Sequence, residues 1–384
     1  MRILYLIKSF ALKAGVERVM SDKMNYLSEH HWDITLVTYE QGNHPQAFPL
    51  RPEIKCYDLD TRFFTLGKYN LLARAFAYYR MRSTFRHRLQ KVVNEVQPDM
   101  LIMTTYSLKV ADLVLKVKTP AKRIIESHIT CYSVRKDMDL GHHLLLKFVG
   151  RFIDGYFFGK IKRFDTLIAL TSGDANEWKE YTRNVIVIPN PLTLYPQSLK
   201  VSSQPEQHRI ICAGRLSPQK GYDLLVPAFK RIAEKCPDWH IDIYGTGSEL
   251  DRLNVLISNA SLEGRIIINQ PSSQIYEEYM RSDFLVFCSR YEGYGLVLNE
   301  AMSCGLPCVS FRCKYGPEDI ITDGKNGILV EAESIEELAS AMLWMIQHPD
   351  ERAKMGVCAR ESAAKYTKEM IMPIWEELFK SLLK

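Results

Sequence analysis

The sequence predicts an α/β protein with two domains, each built around a parallel sheet that helices cover on both faces. Three observations support this fold class. Short apolar runs alternate with helical stretches along the first half of the chain, and a polar segment interrupts them before a second such series begins. The length of 384 residues also exceeds what one hydrophobic core usually organises, since domains commonly hold about 100–200 residues.

Six apolar runs predict the strands of an N-terminal domain over residues 1–195. They read RILYLI, DITLVTY, MLIMTT, RIIES, TLIALT and VIVIPNP, with helical stretches between them. Parallel strands need a crossover connection, which is usually a helix. The alternation is therefore typical of a parallel sheet.

A polar segment and a second series of apolar runs define the rest of the chain. The segment PQSLKVSSQPEQH crowds Pro, Ser and Gln together and predicts a linker at residues 196–207. The runs RIICAG, HIDIYG, RIIIN, FLVFCS, PCVSF and GILV then predict a second doubly wound domain over residues 208–365. The tail has helical periodicity, and we assign residues 366–384 to a helix that crosses back to the N-terminal domain.

Composition and the lengths of the apolar runs restrict the class of protein. A hydrophobic fraction of 46% and a charged fraction of 25% are ordinary for a globular chain, which excludes disordered and fibrous classes. No run reaches the roughly 18–20 uncharged apolar residues that a membrane-spanning helix needs. Lys8 interrupts the opening apolar segment before a signal-peptide core forms. We therefore expect a cytoplasmic protein.

The nine cysteines are scattered along the chain and do not form a disulfide framework. Cys304, Cys308 and Cys313 lie close together in sequence, but no CxxC spacing or nearby histidine completes a set of four metal ligands. We interpret these three residues as small buried hydrophobes.

Positive charge is concentrated in one stretch, although the net charge of +5 is modest. No acidic residue occurs between Arg62 and Asn94. Helical periodicity places an apolar stripe along residues 68–96, and Arg82 and Arg86 lie close to it. Arg80, Arg88 and Lys91 fall on the opposite side, where a solvated outer face explains them. An anionic headgroup or a lipid diphosphate nearby explains both groups of cations, so an anionic membrane surface is a candidate partner. The stripe consists of Leu71, Ala75, Tyr78, Phe85, Leu89, Val92 and Val96.

A second basic and aromatic stretch, HHLLLKFVGRFIDGYFFGKIKRF, occupies residues 142–164. It is too short and too highly charged to span a bilayer. Lys147 and Arg151 within it are further candidates for contact with a membrane or an acceptor. An ordinary pair of core helices explains the same pattern equally well.

The segment GRLSPQKGYDLL, residues 214–225, follows an apolar run directly and opens a helix. Such a turn at the carboxyl end of a parallel strand is where open α/β sheets bind ligands, and N–H groups at a helix start favour anions. Arg215 and Lys220 add fixed positive charge, and together they can clamp a diphosphate. The alternative is a surface loop with two solvated cations.

Glu292 and Glu300 lie eight residues apart within EGYGLVLNE. Gly293 and Gly295 disfavour helix on the N-terminal side, so we expect Glu292 in a loop and Glu300 in the following helix. A carboxylate accepts hydrogen bonds in pairs, and adjacent hydroxyls of a ribose or a sugar are apt partners. The alternative is a glutamate at a helix N-terminus together with a structural carboxylate that is paired with a cation.

Several motifs together carry a specific resemblance to a known family. AGRLSPQKG, the Glu-x7-Glu spacing in EGYGLVLNEAMSCGLPCVS and the closing DGKNGILV strongly resemble the retaining glycosyltransferases of family 4. IPNPL and ALTSGDANEWKEY look like the domain border of the same family, so the resemblance covers most of the chain. It implies the GT-B fold, in which two Rossmann-like doubly wound domains face each other across a cleft.

The resemblance also implies how a nucleotide-sugar donor is bound, mainly by the C-terminal domain. Arg215 and Lys220 hold the diphosphate, Glu292 contacts the donor sugar, and Glu300 binds the ribose hydroxyls. The full set of implied donor contacts is Gly15, Arg215, Lys220, Gly245, Glu292, Gly293, Gly295 and Glu300.

Three further candidate site residues lie in motifs that match the family less completely. The glycine-rich loop after the first strand reads ALKAGVERV here, with Ala14 at the place of the first glycine, although Gly15 still lets the backbone approach a phosphate. Gly245 in YGTGSEL is placed near the nucleotide base, with a tight strand-to-helix turn as the alternative. His128 in RIIESHITCY is placed at a hydrogen bond to the sugar or to the reacting centre. A lone histidine at a strand end is otherwise more often structural.

The implied activity is retaining transfer of a hexose or N-acetylhexosamine from a nucleotide-sugar, with UDP as the expected nucleotide. The acceptor is a glycan or a lipid-linked sugar in cell-surface polysaccharide, lipopolysaccharide or glycan biosynthesis, at the inner face of the plasma membrane. Arg215, Lys220 and helix-start N–H groups stabilise the departing diphosphate, so we expect no metal cofactor. The implied catalytic set is His128, Glu292, Arg215 and Lys220.

Two other functions remain compatible with the sequence. An inactive GT-B scaffold that binds a membrane or nucleic acid would use the same basic helix, although we expect no nucleic-acid partner. A nucleotide-sugar epimerase would use the same donor motifs, and epimerisation without any acceptor would reveal it. The absence of GxGxxG after the first strand counts against a dinucleotide-dependent dehydrogenase.

Overall fold

The computed structural model describes residues 1–12, 14–138, 158–199 and 208–384. Within these ranges the chain divides into two compact units. Unit 1 contains Met1–Pro189 together with Met372–Lys384, and unit 2 contains Asn190–Ile371. The predicted linker at 196–207 falls in unit 2 and lies largely outside the described residues.

Seven strands of the described residues form a parallel sheet in unit 1, in the order β3-β2-β1-β4-β5-β6-β7. The central strands are buried on both faces, which explains why they appear in the sequence as continuous apolar runs and not as alternating ones. The strands are β1 (Arg2–Ile7), β2 (Asp33–Thr38), β3 (Lys55–Asp58), β4 (Met100–Thr104), β5 (Lys122–Glu126), β6 (Thr166–Ala169) and β7 (Val185–Val187).

Helices cover this sheet and supply the remaining core of unit 1. The first helix buries Val19, Met20, Met24 and Leu27 at helical spacing, so one face of it packs on the sheet. The helices are α1 (Gly15–Glu29), α2 (Leu71–Val96), α3 (Ala111–Val114), α4 (Cys131–Met138) and α5 (Ser172–Trp178), with 3-10 turns at Phe63–Lys68 and Thr105–Val110.

Six described strands form the parallel sheet of unit 2, in the order β10-β9-β8-β11-β12-β13. The strand order reverses between β8 and β11, and ligands of open α/β sheets bind outside the carboxyl ends of the strands at such a point. The strands are β8 (His208–Ala213), β9 (Trp239–Tyr244), β10 (Ile266–Asn269), β11 (Phe284–Phe287), β12 (Cys308–Phe311) and β13 (Gly327–Val330).

The helices of unit 2 follow its strands, and the last helix of the chain returns to unit 1. From Met372 onwards that last helix belongs to unit 1. The helices are α6 (Tyr222–Lys230), α7 (Leu250–Asn259), α8 (Ile275–Met280), α9 (Leu296–Ser303), α10 (Pro317–Ile320), α11 (Ile335–Gln347), α12 (Pro349–Ala363) and α13 (Lys368–Leu382), with 3-10 turns at Pro218–Lys220, Ala233–Lys235 and Ala364–Tyr366.

Two parallel sheets with alternating helices confirm the predicted α/β fold class. Cys304, Cys308 and Cys313 are buried thiols, as predicted. No helix of the described residues has both the length and the apolar character needed to cross a membrane. In the same part of the chain, no group of three or more His, Cys, Asp or Glu side chains is arranged to hold a metal ion.

Candidate active site

The loops that follow β8, β9 and β11 meet at one edge of the unit 2 sheet. Because the strands are parallel, their carboxyl ends all lie at this edge. The Leu216 N–H donates to the Thr246 carbonyl at 2.9 Å, which joins the first two loops. The Gln219 side-chain amide donates to the Tyr291 carbonyl at 2.8 Å, and the Arg290 N–H donates to the Gln219 carbonyl at 2.8 Å. The three loops therefore form one connected surface at the point where the strand order reverses.

Gly221 ends the turn that carries Lys220 and allows it to approach β11. Its φ is +67°, and a Cβ atom there would lie 2.0 Å from the Cys288 carbonyl oxygen. Any other residue would strain the backbone and push the turn away from the loop after β11. The glycine thus fixes the distance between Lys220 and that loop.

Gly245 brings the loop after β9 into contact with the same turn. A Cβ atom at this position would lie 2.0 Å from the Gly214 carbonyl oxygen, so the close approach requires glycine. The Gly214 N–H also donates to the Tyr244 carbonyl at 3.0 Å. Gly245 therefore lies beside the turn that carries Arg215 and Lys220.

Lys220 and Glu292 form an ion pair across the β8 and β11 loops. The Lys220 Nζ donates to Glu292 Oε1 at 2.6 Å, and the side chains are 18% and 9% exposed. The Glu292 backbone is held in turn, since its carbonyl accepts from the Tyr315 N–H at 3.2 Å and its N–H donates to the Lys314 carbonyl. The sequence indicated both residues as candidates, but their direct contact across 72 positions appears only in the structure.

Arg215 and Glu300 lie on different elements of the same unit. Arg215 is exposed, and it makes no hydrogen bond or ion pair with any residue that the structure describes. Glu300 lies in α9 and is half-buried, while Glu292 lies in the preceding loop with Gly293 and Gly295, as predicted. Burial, reinforced by the Glu300 carboxylate, raises the pKa of Tyr279, which indicates that Tyr279 lies near Glu300.

Arg290 connects the Lys220 turn, α6 and the loop after β11, and sequence reasoning missed it. Its guanidinium donates to both carboxylate oxygens of Asp223 at 2.8 and 2.9 Å and to the Pro218 carbonyl at 2.7 Å. A further bond of 2.9 Å reaches Glu333. The hydrogen bonds from Arg290 hold the pKa of Asp223 below its usual value. Its position two residues before Glu292 was the available signal, but only the strand order shows what it reaches.

His128 lies two residues after β5 in unit 1, in a buried chain of polar groups. Its Nε2 is 3.2 Å from Glu126 Oε2, and both side chains are 2% exposed. The same Glu126 oxygen accepts a hydrogen bond from Lys23 Nζ on α1. Gly15, the other candidate of this unit, is the first residue of α1.

The basic helix α2 packs on the core of unit 1 along only part of its length. Phe85 and Leu89 of the apolar stripe are buried in the core of unit 1, whereas Ala75 and Tyr78 in the first turns are exposed. The side chains of α2 pack in the core of unit 1 only from Phe85 onwards. The apolar periodicity therefore continues beyond the part of the helix that packs.

The basic candidates for membrane or acceptor contact fall into three groups. Arg82 has a carboxylate partner within the chain, since it pairs with Asp112, and it also donates to the Tyr78 hydroxyl at 3.0 Å. Arg86 is exposed. Lys147 and Arg151 lie outside the described residues.

Comparison with known proteins identifies the class to which this fold and site belong. Residues 197–362 match the family model described as glycosyl transferases group 1. An uncharacterized glycosyltransferase of Haemophilus influenzae is 26% identical over 98% of this chain and 99% of its own length. The amylovoran biosynthesis glycosyltransferase AmsD of Erwinia amylovora is 25% identical over 98% of this chain and 99% of its own length.

A solved structure shows the same fold at low sequence identity. A point mutant of S. aureus TarM in complex with fondaparinux, alpha-GlcNAc-glycerol and UDP superimposes with a TM-score of 0.74 and 16% identity, covering 98% of this chain and 99% of that chain. The chain is therefore a glycosyltransferase with the GT-B fold. Its similarity to glycosyl transferases group 1 is carried by residues 197–362.

Proposed function

We propose that this glycosyltransferase moves a hexose or N-acetylhexosamine from a UDP-sugar to a glycan or lipid-linked acceptor, with retention at the anomeric carbon. The pathway class that we propose is assembly of a cell-surface polysaccharide, lipopolysaccharide or related glycan. The observation that carries the proposal is the Lys220–Glu292 pair at the carboxyl ends of β8 and β11. Open α/β sheets bind their ligands at this place.

The Lys220–Glu292 contact fits a ligand in which a sugar is bonded directly to a diphosphate. A cation suits the diphosphate, and a carboxylate suits the sugar hydroxyls. Since the two side chains are 2.6 Å apart, the groups that they bind must also be neighbours. An anomeric carbon linked through oxygen to phosphorus meets this requirement.

Exposed Arg215 adds a second cation beside Lys220 for the departing diphosphate. Negative charge grows on the diphosphate oxygens as the sugar leaves, and fixed cations stabilise that charge most at the transition state. We propose that Arg215 and Lys220 take the role that a divalent metal plays in other transferases. Glu300, on a separate element, then binds the ribose hydroxyls at the other end of the donor.

The relatives support the choice of UDP and of a surface glycan. The TarM structure was obtained in complex with UDP and alpha-GlcNAc-glycerol. AmsD is named for amylovoran biosynthesis. An inactive scaffold is the competing function, and the intact set of Arg215, Lys220, Glu292 and Glu300 favours an enzyme over it.

The nucleotide preference is tested by thermal unfolding with UDP, GDP and ADP. We expect UDP to raise the unfolding temperature selectively, because a ligand at about 100 times its dissociation constant stabilises the folded state by roughly 2.7 kcal/mol. Turnover of UDP-sugars with a glycan acceptor, followed by NMR of the product anomer, tests transfer and retention. No shift with any of the three nucleotides would support the inactive scaffold, and inversion would refute retention.

We also propose that the first turns of α2 dock on an anionic membrane surface. Leu72, Phe76 and Tyr79 are spaced four and three residues apart, so they share one helix face, and they are 87%, 70% and 75% exposed. Arg80 is exposed and borders this face, and Arg74 is exposed on the opposite side of the same turns. An exposed apolar and aromatic face with cations at its border and on the opposite side is typical of helices that lie in a membrane interface.

Vesicle sedimentation tests this docking with the full chain. We expect binding to phosphatidylserine-containing vesicles, and we expect Phe76→Ser to weaken it by about tenfold or more, because burying a Phe side chain contributes roughly 1.5–3 kcal/mol. Val357→Ser is the matched control, since Val357 is 61% exposed on α12 in unit 2. Equal binding by both variants would refute the proposed surface.

A further inference from the structure

The turn Pro218–Lys220 depends on contacts with other elements for its position. It is a 3-10 turn of three residues, and none of the three is buried. The Lys220 N–H donates to the Ser217 carbonyl at 3.0 Å, and the Gly221 N–H donates to the Pro218 carbonyl at 3.4 Å. Two local hydrogen bonds and partly exposed side chains do not by themselves fix so short a segment.

Arg290, in the loop after β11, contacts this turn with both its backbone and its side chain. Its backbone N–H donates to the Gln219 carbonyl at 2.8 Å, and its guanidinium donates to the Pro218 carbonyl at 2.7 Å. The Gln219 side-chain amide donates back to the Tyr291 carbonyl at 2.8 Å. Arg290 therefore bonds the two residues of the turn that come immediately before Lys220.

Two carboxylates fix the guanidinium of Arg290 in this arrangement. Asp223, in the first turn of α6, accepts from both terminal nitrogens at 2.8 and 2.9 Å, and Glu333, after β13, accepts from Nε at 2.9 Å. A paired contact between arginine and a carboxylate has a defined planar geometry. Because α6 packs through buried Leu225 and Val226, Asp223 connects the guanidinium to a packed helix.

The contacts of Arg290 leave it little capacity to bind a ligand itself. A guanidinium has five N–H groups, and four of them are directed at Pro218, Asp223 and Glu333. Arg215, by contrast, is exposed. The two arginines therefore differ in their tasks, since Arg215 is suited to contact a diphosphate and Arg290 is suited to hold neighbouring parts of the protein together.

We propose that Arg290 is a positioning residue, which holds the turn Pro218–Lys220 against the loop after β11 and thereby fixes the Lys220 Nζ beside Glu292. The Nζ lies 2.6 Å from Glu292 Oε1. A cation stabilises a departing diphosphate most when it is already in place, because no reorganisation is then needed during the reaction. The inference rests on the proposed function for the reaction that Lys220 serves, whereas the holding of the turn is a property of the free enzyme.

Hydrogen exchange of the free, full chain tests whether Arg290 holds the turn. Arg290→Lys keeps the positive charge but replaces the planar set of donors with a single ammonium group, which cannot reproduce all of these bonds. We expect the amides of Lys220 and Gly221 to exchange about tenfold faster or more, because hydrogen bonds to a charged group are lost. Unchanged exchange in this segment would overturn the inference, whether or not the protein transfers sugar.

Steady-state kinetics with the UDP-sugar test whether the position of the turn matters for the reaction. We expect Arg290→Lys to lower kcat by about 10–100-fold, since a misplacement of about 1 Å can cost two orders of magnitude in rate. The effect on KM should be smaller, because the nucleoside end of the donor is bound elsewhere. Asp223→Asn removes the paired acceptor without changing Arg290, and it should show the same loss. If both variants lowered only the unfolding temperature, with kcat per folded molecule unchanged, the inference would be wrong.

A double-mutant cycle with Lys220→Ala separates positioning from the other roles of an arginine at this place. If Arg290 acts through Lys220, then Arg290→Lys has no further effect on kcat per folded molecule once Lys220 is replaced. A residue that bound the diphosphate directly would lower turnover by the same factor in both backgrounds. That additive result would overturn the inference.

Arg352→Lys is the matched control, because Arg352 also bonds a carboxylate and a backbone carbonyl within unit 2. It donates to Asp283 Oδ1 at 2.8 Å and to the Met345 carbonyl at 2.6 Å. Asp283 precedes β11 and so lies at the amino edge of the unit 2 sheet. We expect a lower unfolding temperature with unchanged kcat and unchanged exchange at Lys220. A parent without sugar transfer would refute the proposed function, and hydrogen exchange would still decide whether Arg290 holds the turn.

Discussion

Replacing Lys220 with alanine lowers kcat/KM for the UDP-sugar by about two to three orders of magnitude, as expected for a fixed charge that stabilises a developing anion. The variant also leaves Glu292 without its cation at a site where that carboxylate is 9% exposed. Removing one member of a buried pair costs up to about 3–5 kcal/mol. A double-mutant cycle with Glu292→Gln measures how much of the loss belongs to the pair.

Lys235→Ala is the control for this experiment because Lys235 is exposed before β9, at the amino edge of the sheet. We expect it to leave kcat/KM and the unfolding temperature unchanged. Additive losses in the Lys220 and Glu292 cycle would mean that the two side chains act separately. Unchanged turnover in Lys220→Ala would exclude its proposed role at the diphosphate.

Replacing Glu300 with alanine weakens binding of UDP by about 10–150-fold, because a hydrogen bond to a charged group contributes roughly 1.5–3 kcal/mol. We expect the larger effect of Glu292→Ala to fall on turnover, since that residue is proposed to contact the sugar. Calorimetric titration with UDP and with 2′-deoxy-UDP and 3′-deoxy-UDP locates the contact. The parent should discriminate against the deoxy ligands, and Glu300→Ala should lose this discrimination.

Glu351→Ala provides a matched carboxylate removal, because Glu351 is exposed on α12 of the same unit. It should bind UDP as the parent does. If Glu300→Ala kept full preference for the ribose hydroxyls, the ribose contact would have to be assigned elsewhere. Equal donor binding and equal transfer in the Glu292 and Glu300 variants would remove both assigned roles.

Local sequence signals predicted the parts of the site that depend on neighbouring residues. Gly293 and Gly295 separate Glu292 from Glu300, and the structure has one in a loop and the other in α9. The central strands were recognisable because burial on both faces produces continuous apolar runs. These features follow from short-range chemistry, which a single sequence displays directly.

Contacts between distant segments were not predictable, because they depend on strand order. Lys220 meets Glu292 only since β8 lies next to β11 in the sheet. Lys23 meets Glu126 across 103 positions, and a lysine within an apolar helix face gives no indication of its partner. The exposed first turns of α2 show a second property that the sequence does not reveal, which is whether an apolar helix face is buried. The helical spacing of apolar residues indicates that one face of the helix is apolar, but it does not indicate whether another element packs on that face.

The part of α13 from Met372 onwards belongs to unit 1, and this sets an order of events during synthesis. Lys23 and Glu126 leave the ribosome well before Trp375, whose ring centroid lies 3.8 Å from the Lys23 Nζ. At about 5–20 residues per second, the roughly 250 residues between Glu126 and Trp375 take about 12–50 s to translate. All of unit 2 emerges in that interval, so the nascent chain can place Trp375 against Lys23 only after the whole sequence of unit 2 is available to fold.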